Sequence, residues 1–188
     1  MTNNHNINVK ALFRKYFWVI IFIIILLLQD FFLKPFVKDL YLNDDIKNFK
    51  EFSWKYTVFI FTILAGIIIF ISRKNITFSA VPLILLGLMI FGSGFYFGFH
   101  SLVDNSLLLI NSETKKTEII KVYEVVYHKG KKVFWLNNEN SIHDKEDLQK
   151  INRYRISKGL KAIFNLQNND TVKVRFNKGW LGVNYLEK

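Results

Sequence analysis

Residues 17–28 read FWVIIFIIILLL, an apolar run that fills most of a helix long enough to cross a bilayer. A hydrocarbon core about 30 Å thick takes about 20 mostly apolar residues in a helix, because an unpaired backbone is costly there. Gln29 and Asp30 lie at its end, a basic flank (1–15) precedes it, and no small-residue cleavage site follows. We therefore expect an uncleaved signal anchor over about 16–33.

Two further apolar stretches follow, at about 54–72 and 81–99. Trp54 and Tyr56 are typical of the bilayer interface, and Pro82 suits the first turn of a helix. The sequence thus predicts three transmembrane helices within residues 16–100. A smaller β-rich domain is expected over 104–188, as an α+β fold or a partly closed barrel.

Charge and cysteine content limit the possible partners. The chain has 26 Lys and Arg against 15 Asp and Glu, a net charge of +11, and no cysteine. A bilayer with anionic headgroups accounts for scattered basic residues, each contributing on the order of 1 kcal/mol near the surface. We therefore expect the lipid bilayer, and not a nucleic acid, to be a partner. Disulfides, thiol nucleophiles and cysteine-based metal sites are excluded.

The third predicted span contains a pair of small residues, Gly94 and Gly98, four positions apart. Such a pair lets two helices approach closely. It predicts packing within the protein's own helix bundle or, alternatively, the seam of a homo-oligomer.

Residues 34–53 connect the first two spans and mix charges with spaced apolar side chains. They form a short interfacial helix or a loop folded back on the bundle, and the pattern leaves both open. The apolar side chains that would line one side of such a helix are Phe36, Leu40, Ile46 and Phe49.

The distribution of basic residues predicts the orientation. The basic flank and Arg73-Lys74 favour the cytoplasm for the N-terminus and for the loop between the second and third spans. We therefore expect a bacterial inner-membrane protein whose C-terminal domain lies outside the cytoplasm.

The pattern after residue 104 changes to short strands. Apolar or β-branched runs predict strands at 106–110, 118–127, 133–136 and 161–166, with a turn around Gly130. Asp144 and the acidic residues after it predict a helix start, and Gly159 predicts its end.

The last two predicted strands alternate apolar and polar residues, at 171–176 and 180–185. Gly179 stands between them, where a three-residue hairpin favours a left-handed conformation.

Three segments carry a resemblance: LVDNS at 102–106, NDTVKV at 169–174 and GWLGVNY at 179–185. They resemble small uncharacterised bacterial multi-span membrane proteins that end in a β-module of the form G/N-D-x-V-x-V … G-x-L-G-x-x-aromatic. The resemblance implies the fold and a location in the bacterial envelope. It implies no reaction.

Candidate polar sites are few. His100 and Asp104 stand four residues apart just after the third span, where they could form a proton-responsive pair or simply mark the helix leaving the bilayer. His143 and Asp144 could host a base or a cation, although a helix N-terminus explains them more simply. We identify no catalytic, cofactor-binding or metal-binding residues.

These features predict a membrane-anchored binding or accessory module of the bacterial envelope, without catalysis. Its partner would be an envelope protein, an incoming toxin in the manner of a membrane-bound immunity protein, or the lipid surface. Two alternatives stay open: an oligomeric channel or transport accessory subunit, and a lipid-directed enzyme using His100, Asp104 or His143 as a base.

Overall fold

The computed structural model describes residues 9–72, 81–115, 117–128, 130–136 and 140–187, with helices in the first half and an antiparallel sheet in the second. In chain order the elements are α1 (Val9–Leu28), a π-helical turn (Gln29–Leu33), α2 (Lys34–Leu40), α3 (Asn43–Ser72), α4 (Val81–Glu113), β1 (Thr117–His128), β2 (Lys131–Leu136), β3 (Asn140–Ile142), α5 (Lys145–Ser157), a 3₁₀ turn (Ile163–Asn165), β4 (Thr171–Lys178) and β5 (Asn184–Leu186).

The helical half holds one candidate for a membrane span. Within the described residues, only the stretch Ile20–Leu40 is long and apolar enough to cross a bilayer, and few of its residues are buried. The described part of the chain therefore supports one of the three predicted spans, and three crossings remain a proposal. α1, the π-helical turn and α2 follow one another without a break.

The five strands form one antiparallel sheet in the order β3-β2-β1-β4-β5, curved into a half-barrel. β1 is the central strand, and its register pairs Glu124 with both Trp135 of β2 and Thr171 of β4. The expected β-rich domain is thus present as an antiparallel half-barrel.

The sequence signals for α5 are confirmed. Asp144 is the N-cap, and its side chain accepts a hydrogen bond from the amide of Glu146. Gly159 follows the last turn in a left-handed conformation, with a φ of 70°.

Two clusters of buried side chains form the core. The first lies between the sheet and α5 and includes Tyr123, Val125 and Ile151, joined by Leu42 from the first half of the chain. The second includes Tyr41 and Leu108. Residues between α1 and the middle of α3 therefore belong to the core of the C-terminal domain.

The connection between the first two predicted spans differs from both alternatives left open. Residues 34–53, called here the linking segment, form α2 and the start of α3. Leu40 and Phe49 are buried against Val183 and Tyr185 in the second cluster. The segment is neither a plain loop nor a helix lying on a surface, because its apolar side faces the half-barrel.

Two strand predictions were wrong. Residues 106–110 are helical, because α4 continues through them to Glu113 and buries Leu108 completely. Residues 161–166 contain a 3₁₀ turn instead of a strand. An apolar run of five or six residues fits either structure, and its packing partners decide between them.

A left-handed conformation was predicted for Gly179, and this prediction was wrong. The left-handed glycine of the β4–β5 connection is Gly182, with a φ of 78°. Gly179 is required for a different reason, because a Cβ atom there would overlap the carbonyl oxygen of Asn111. The last strand is also shorter than predicted, Asn184–Leu186.

Candidate functional site

Tyr41 and Asn111 join the linking segment to α4 and to the end of the sheet. The buried Tyr41 hydroxyl donates to the carbonyl of Leu108 at 2.7 Å and accepts from the Asn111 amide at 3.0 Å. Asn111 also donates to the carbonyl of Val183 at 2.9 Å and accepts from the amide of Leu181 at 2.8 Å. The Asn111 side chain thus makes hydrogen bonds with Tyr41 of the linking segment and with two backbone groups just before β5.

A buried ion pair on α5 holds the same segment from the other side. The ammonium group of Lys150 donates to Asp147 at 2.8 Å and to the carbonyl of Tyr41 at 2.9 Å. Asp147 accepts from the backbone amide of Asn43, and Asp144 accepts from the Asn43 side chain. We call Asp144, Asp147 and Lys150 the α5 clamp.

A titratable carboxyl group lies between the linking segment and the sheet. Burial raises the pKa of Asp45 to about 6, although Lys121 of β1 and a hydrogen bond from the Asn184 side chain act in the opposite direction. The neighbouring carboxyl of Asp44 raises this pKa further. The charge at this contact therefore changes near neutral pH.

The structure brings the predicted pair His100 and Asp104 together with side chains of α3. The Nε2 atom of His100 lies 3.4 Å from Asp104 Oδ2, and its Nδ1 atom lies 2.7 Å from the Thr57 hydroxyl. The ring of Tyr96 stacks on the imidazole. Ser53 and Thr57 are both buried, one turn apart on α3. We call Ser53, Thr57, His100 and Asp104 the polar cluster.

Asp104 is the unusual member of the polar cluster. Its side chain is 1% exposed, and neither carboxylate oxygen accepts a well-formed hydrogen bond from the residues that the structure describes. Burial raises the pKa of Asp104, while the neighbouring Ser53 hydroxyl, His100 and Lys50 lower it. Burial of a carboxyl group favours its protonated form.

The chemistry open to the polar cluster is proton binding. A neutral imidazole that donates from Nε2 towards Asp104 accepts from Thr57 at Nδ1, and protonation of the ring turns Nδ1 into a donor. Thr57 on α3 would then have to reorient. The order hydroxyl, imidazole, carboxylate also occurs in hydrolases, but the Thr57 side chain is buried and does not offer its oxygen to a substrate.

A second set of polar contacts connects the π-helical turn to α4. The amide of the buried Gln29 donates to the Ser101 hydroxyl at 2.7 Å, and Asn105 donates to the same oxygen at 3.3 Å. π-Helical turns are rare and occur often at functional sites. The turn thus directs a polar side chain into the helix interface.

His143 and Asp144 are explained by local structure. Asp144 caps α5 and belongs to the α5 clamp. His143 contacts the hydroxyl of Ser141 at the end of β3.

The helix-packing candidate Gly98 packs against another helix of the same chain. A Cβ atom at Gly98 would lie 3.5 Å from the methyl groups of Leu26 on α1, so this glycine faces another helix of the same chain. The surroundings of Gly94 lie outside the described side chains.

Sequence reasoning missed the α3 half of the polar cluster. Ser53 and Thr57 are four residues apart, as are His100 and Asp104, so each pair marks one helix face. Matching two polar faces on separate helices would have suggested the contact. Tyr41 and Asn111 carried no such signal, since their partners are 67 to 72 positions away, and the contact of Lys150 with Tyr41 spans 109 positions.

Among the described residues, no group of three or more histidine and acidic side chains could hold a metal ion. Comparisons of the chain with protein-family models, with curated proteins and with solved structures find no match.

Proposed function

We propose that the protein is a membrane-anchored binding module of the bacterial envelope, in which α1, α3 and α4 cross the bilayer and hold the half-barrel at its surface. The observation that carries the proposal is the linking segment, which connects the first two proposed spans and yet packs into both core clusters with α5, β4 and β5. Two crossings, by α3 and α4, separate this segment from the half-barrel. An arrangement with three crossings is therefore compatible with this contact, because the linking segment and the half-barrel then lie on one side of the membrane.

The half-barrel has an outer face suited to a protein partner. Ile120 and Val122 project from β1 on the side away from the core and are exposed. The register pairs Ile120 with Arg175 and Val122 with Lys173. An apolar centre with a charged rim is the usual composition of a protein interface.

Labelling of single cysteines tests the membrane arrangement, since the chain has no cysteine of its own. We would compare Asn48→Cys in the linking segment, Lys161→Cys in the half-barrel and Asn75→Cys between α3 and α4, using an impermeant maleimide on intact cells. We expect positions 48 and 161 to label from one side and position 75 from the other. Labelling of all three from one side would reduce the anchor to a single span.

Purification in mild detergent tests the binding role. We expect the tagged wild-type protein to retain a partner after cross-linking, and Ile120→Glu to lose it, while Leu160→Glu on another exposed surface retains it. A wild-type protein that is always recovered alone would contradict the proposal.

A transport accessory role is the second candidate, and the polar cluster favours it. Buried titratable pairs are common components of proton-linked transport, and this pair lies between α3 and α4 just beyond the predicted third span. In vesicles with a trapped pH-sensitive dye, the wild-type protein would then change the rate of proton entry and Asp104→Asn would not. Equal rates for both proteins and for empty vesicles would remove this candidate.

A further inference from the structure

An apolar groove runs along the junction of α1, the π-helical turn and α2 with α4. It has a volume of about 570 Å³, and Gln29 is its one polar lining residue. The apolar lining includes Leu28, Phe32 and Phe36 on one side and Leu102 and Leu109 on the other. The groove differs from the polar cluster, which lies between α3 and α4.

The groove begins in the candidate span and ends next to the half-barrel. Leu28 and Phe32 belong to the span Ile20–Leu40 and are 52% and 70% exposed. Leu109 lies ten residues beyond the predicted end of the third span, about 15 Å along a helix. Leu109 also packs against the second core cluster.

We infer that the groove binds one acyl chain of a membrane phospholipid and leads it out of the bilayer towards the half-barrel. The inference rests on the proposed function, because the end of the groove at Leu28 opens to lipid only if α1 lies in the bilayer. An apolar lining that continues from a membrane-facing surface favours an apolar ligand, since polar groups buried there would lack hydrogen-bond partners apart from Gln29. A hydrocarbon chain needs none.

The position of the groove at a closed helix junction favours a hydrocarbon chain over a second protein helix. The lining residues come from two helical elements that already contact each other through Gln29 and Ser101. A hydrocarbon chain can lie along this junction without separating the two elements, whereas a docking helix has a diameter of about 10 Å with its side chains.

Site-specific photo-cross-linking tests this inference. We would place benzoylphenylalanine in the full-length protein at Phe36, Leu109, Ile110 or Leu27, reconstitute each protein in vesicles of phosphatidylethanolamine and phosphatidylglycerol, irradiate, and measure intact mass. Ile110 is the matched control for Leu109, because it is the next residue, is 49% exposed and does not line the groove. Leu27 reports the bilayer itself, since it is 51% exposed within the candidate span.

We expect phospholipid adducts at Phe36, Leu109 and Leu27, and at least fivefold less adduct at Ile110. The second variant, Leu102→Trp, narrows the groove between its two ends. It should reduce the Leu109 adduct at least fivefold and leave the Leu27 adduct unchanged.

Each outcome separates the inference from the proposed function. An adduct at Leu27 without adducts at Phe36 and Leu109 would overturn the inference and keep the membrane anchor. A cross-link between two protein chains at Phe36 would also overturn it, in favour of a second copy. The lack of any adduct at Leu27 would overturn the membrane anchor itself.

Discussion

Lys150 of α5 donates a hydrogen bond of 2.9 Å to the carbonyl oxygen of Tyr41, a residue 109 positions earlier in the chain. The Lys150 side chain is fully buried, and its charge is balanced by Asp147 at 2.8 Å. The contact ties the helical half of the protein to the half-barrel through a charged group, so the two halves are joined by more than apolar packing.

We predict that Lys150→Met lowers the free energy of unfolding by roughly 3–5 kcal/mol, because it leaves Asp147 buried without its partner. The measurement is chemical unfolding of the full-length protein in mild detergent. Arg153→Met is the matched control on the same helix, since the Arg153–Asp39 pair is 64% and 66% exposed. Exposed pairs contribute about 0–1 kcal/mol, so equal losses for the two variants would contradict the role of the clamp.

Gly179→Ala should destabilise the junction, because the added methyl group would overlap the Asn111 carbonyl and push α4 away from the β4–β5 turn. Overpacking of this kind costs about 1–3 kcal/mol. Gly66→Ala on α3 is the control, since nothing lies within 4 Å of its Cβ position. Limited proteolysis of the linking segment would report the effect: faster cleavage is expected for Gly179→Ala only, and unchanged cleavage would count against the close approach.

Asp45 should make stability depend on pH. Its pKa rises from 3.8 to about 6 in the folded protein, so the folded state binds the proton more tightly than the unfolded state. The resulting stability is fully present below pH 3.8 and is lost as the pH rises through 6. Asp45→Asn should therefore unfold at a higher temperature than the wild type at pH 7.5 and at a similar temperature at pH 4.

The size of this effect is roughly 1–3 kcal/mol at pH 7.5, from a shift of about two pH units. Asp44→Asn provides the comparison for the loss of one negative charge at the neighbouring position. A pH dependence that is identical in the wild type and Asp45→Asn would show that Asp45 is not the titrating group.

A double-mutant cycle tests the polar cluster. His100→Ala alone leaves the buried Asp104 carboxyl group without the imidazole 3.4 Å away, and we expect a loss of about 1–3 kcal/mol in the free energy of unfolding. Adding Asp104→Asn should recover at least about 1 kcal/mol of that loss, because a neutral amide replaces the buried acidic group. Equal losses of unfolding free energy in the single and the double variant would contradict an energetic coupling between His100 and Asp104.

A substitution of Thr57 tests the polar cluster independently. Thr57→Val removes the contact with His100, whereas Thr62→Val removes only a hydrogen bond to the carbonyl oxygen of Val58 in the same helix. We expect a change of about 1 kcal/mol or more in unfolding free energy for the first and a smaller change for the second. The reverse order would contradict the coupling of α3 to His100.

Gly98→Leu should weaken the protein without changing its oligomeric state, because this glycine faces Leu26 of the same chain. Sedimentation in detergent measures the oligomer, and thermal unfolding measures the stability. A change in oligomeric state with unchanged stability would instead favour a glycine seam between protomers.

Sequence patterns predicted the strands and helix ends that depend only on neighbouring residues. The alternation at 171–176 predicted β4, and the Asp144 cap and Gly159 predicted the ends of α5. The β-branched and aromatic run at 118–127 predicted β1. These features depend on residues within one or two turns or one strand, so a single sequence contains the necessary information.

The sequence by itself determined the apolar helix that begins the chain, the antiparallel strands that end it and the cap of α5. Only the tertiary structure decided that the linking segment belongs to the core of the half-barrel, that Gly179 is needed for the approach of Asn111, and that Thr57 meets His100. The physical reason is that periodicity records which side of an element is buried, and not which distant element covers it. These contacts depend on shape and hydrogen bonding between residues more than 40 positions apart.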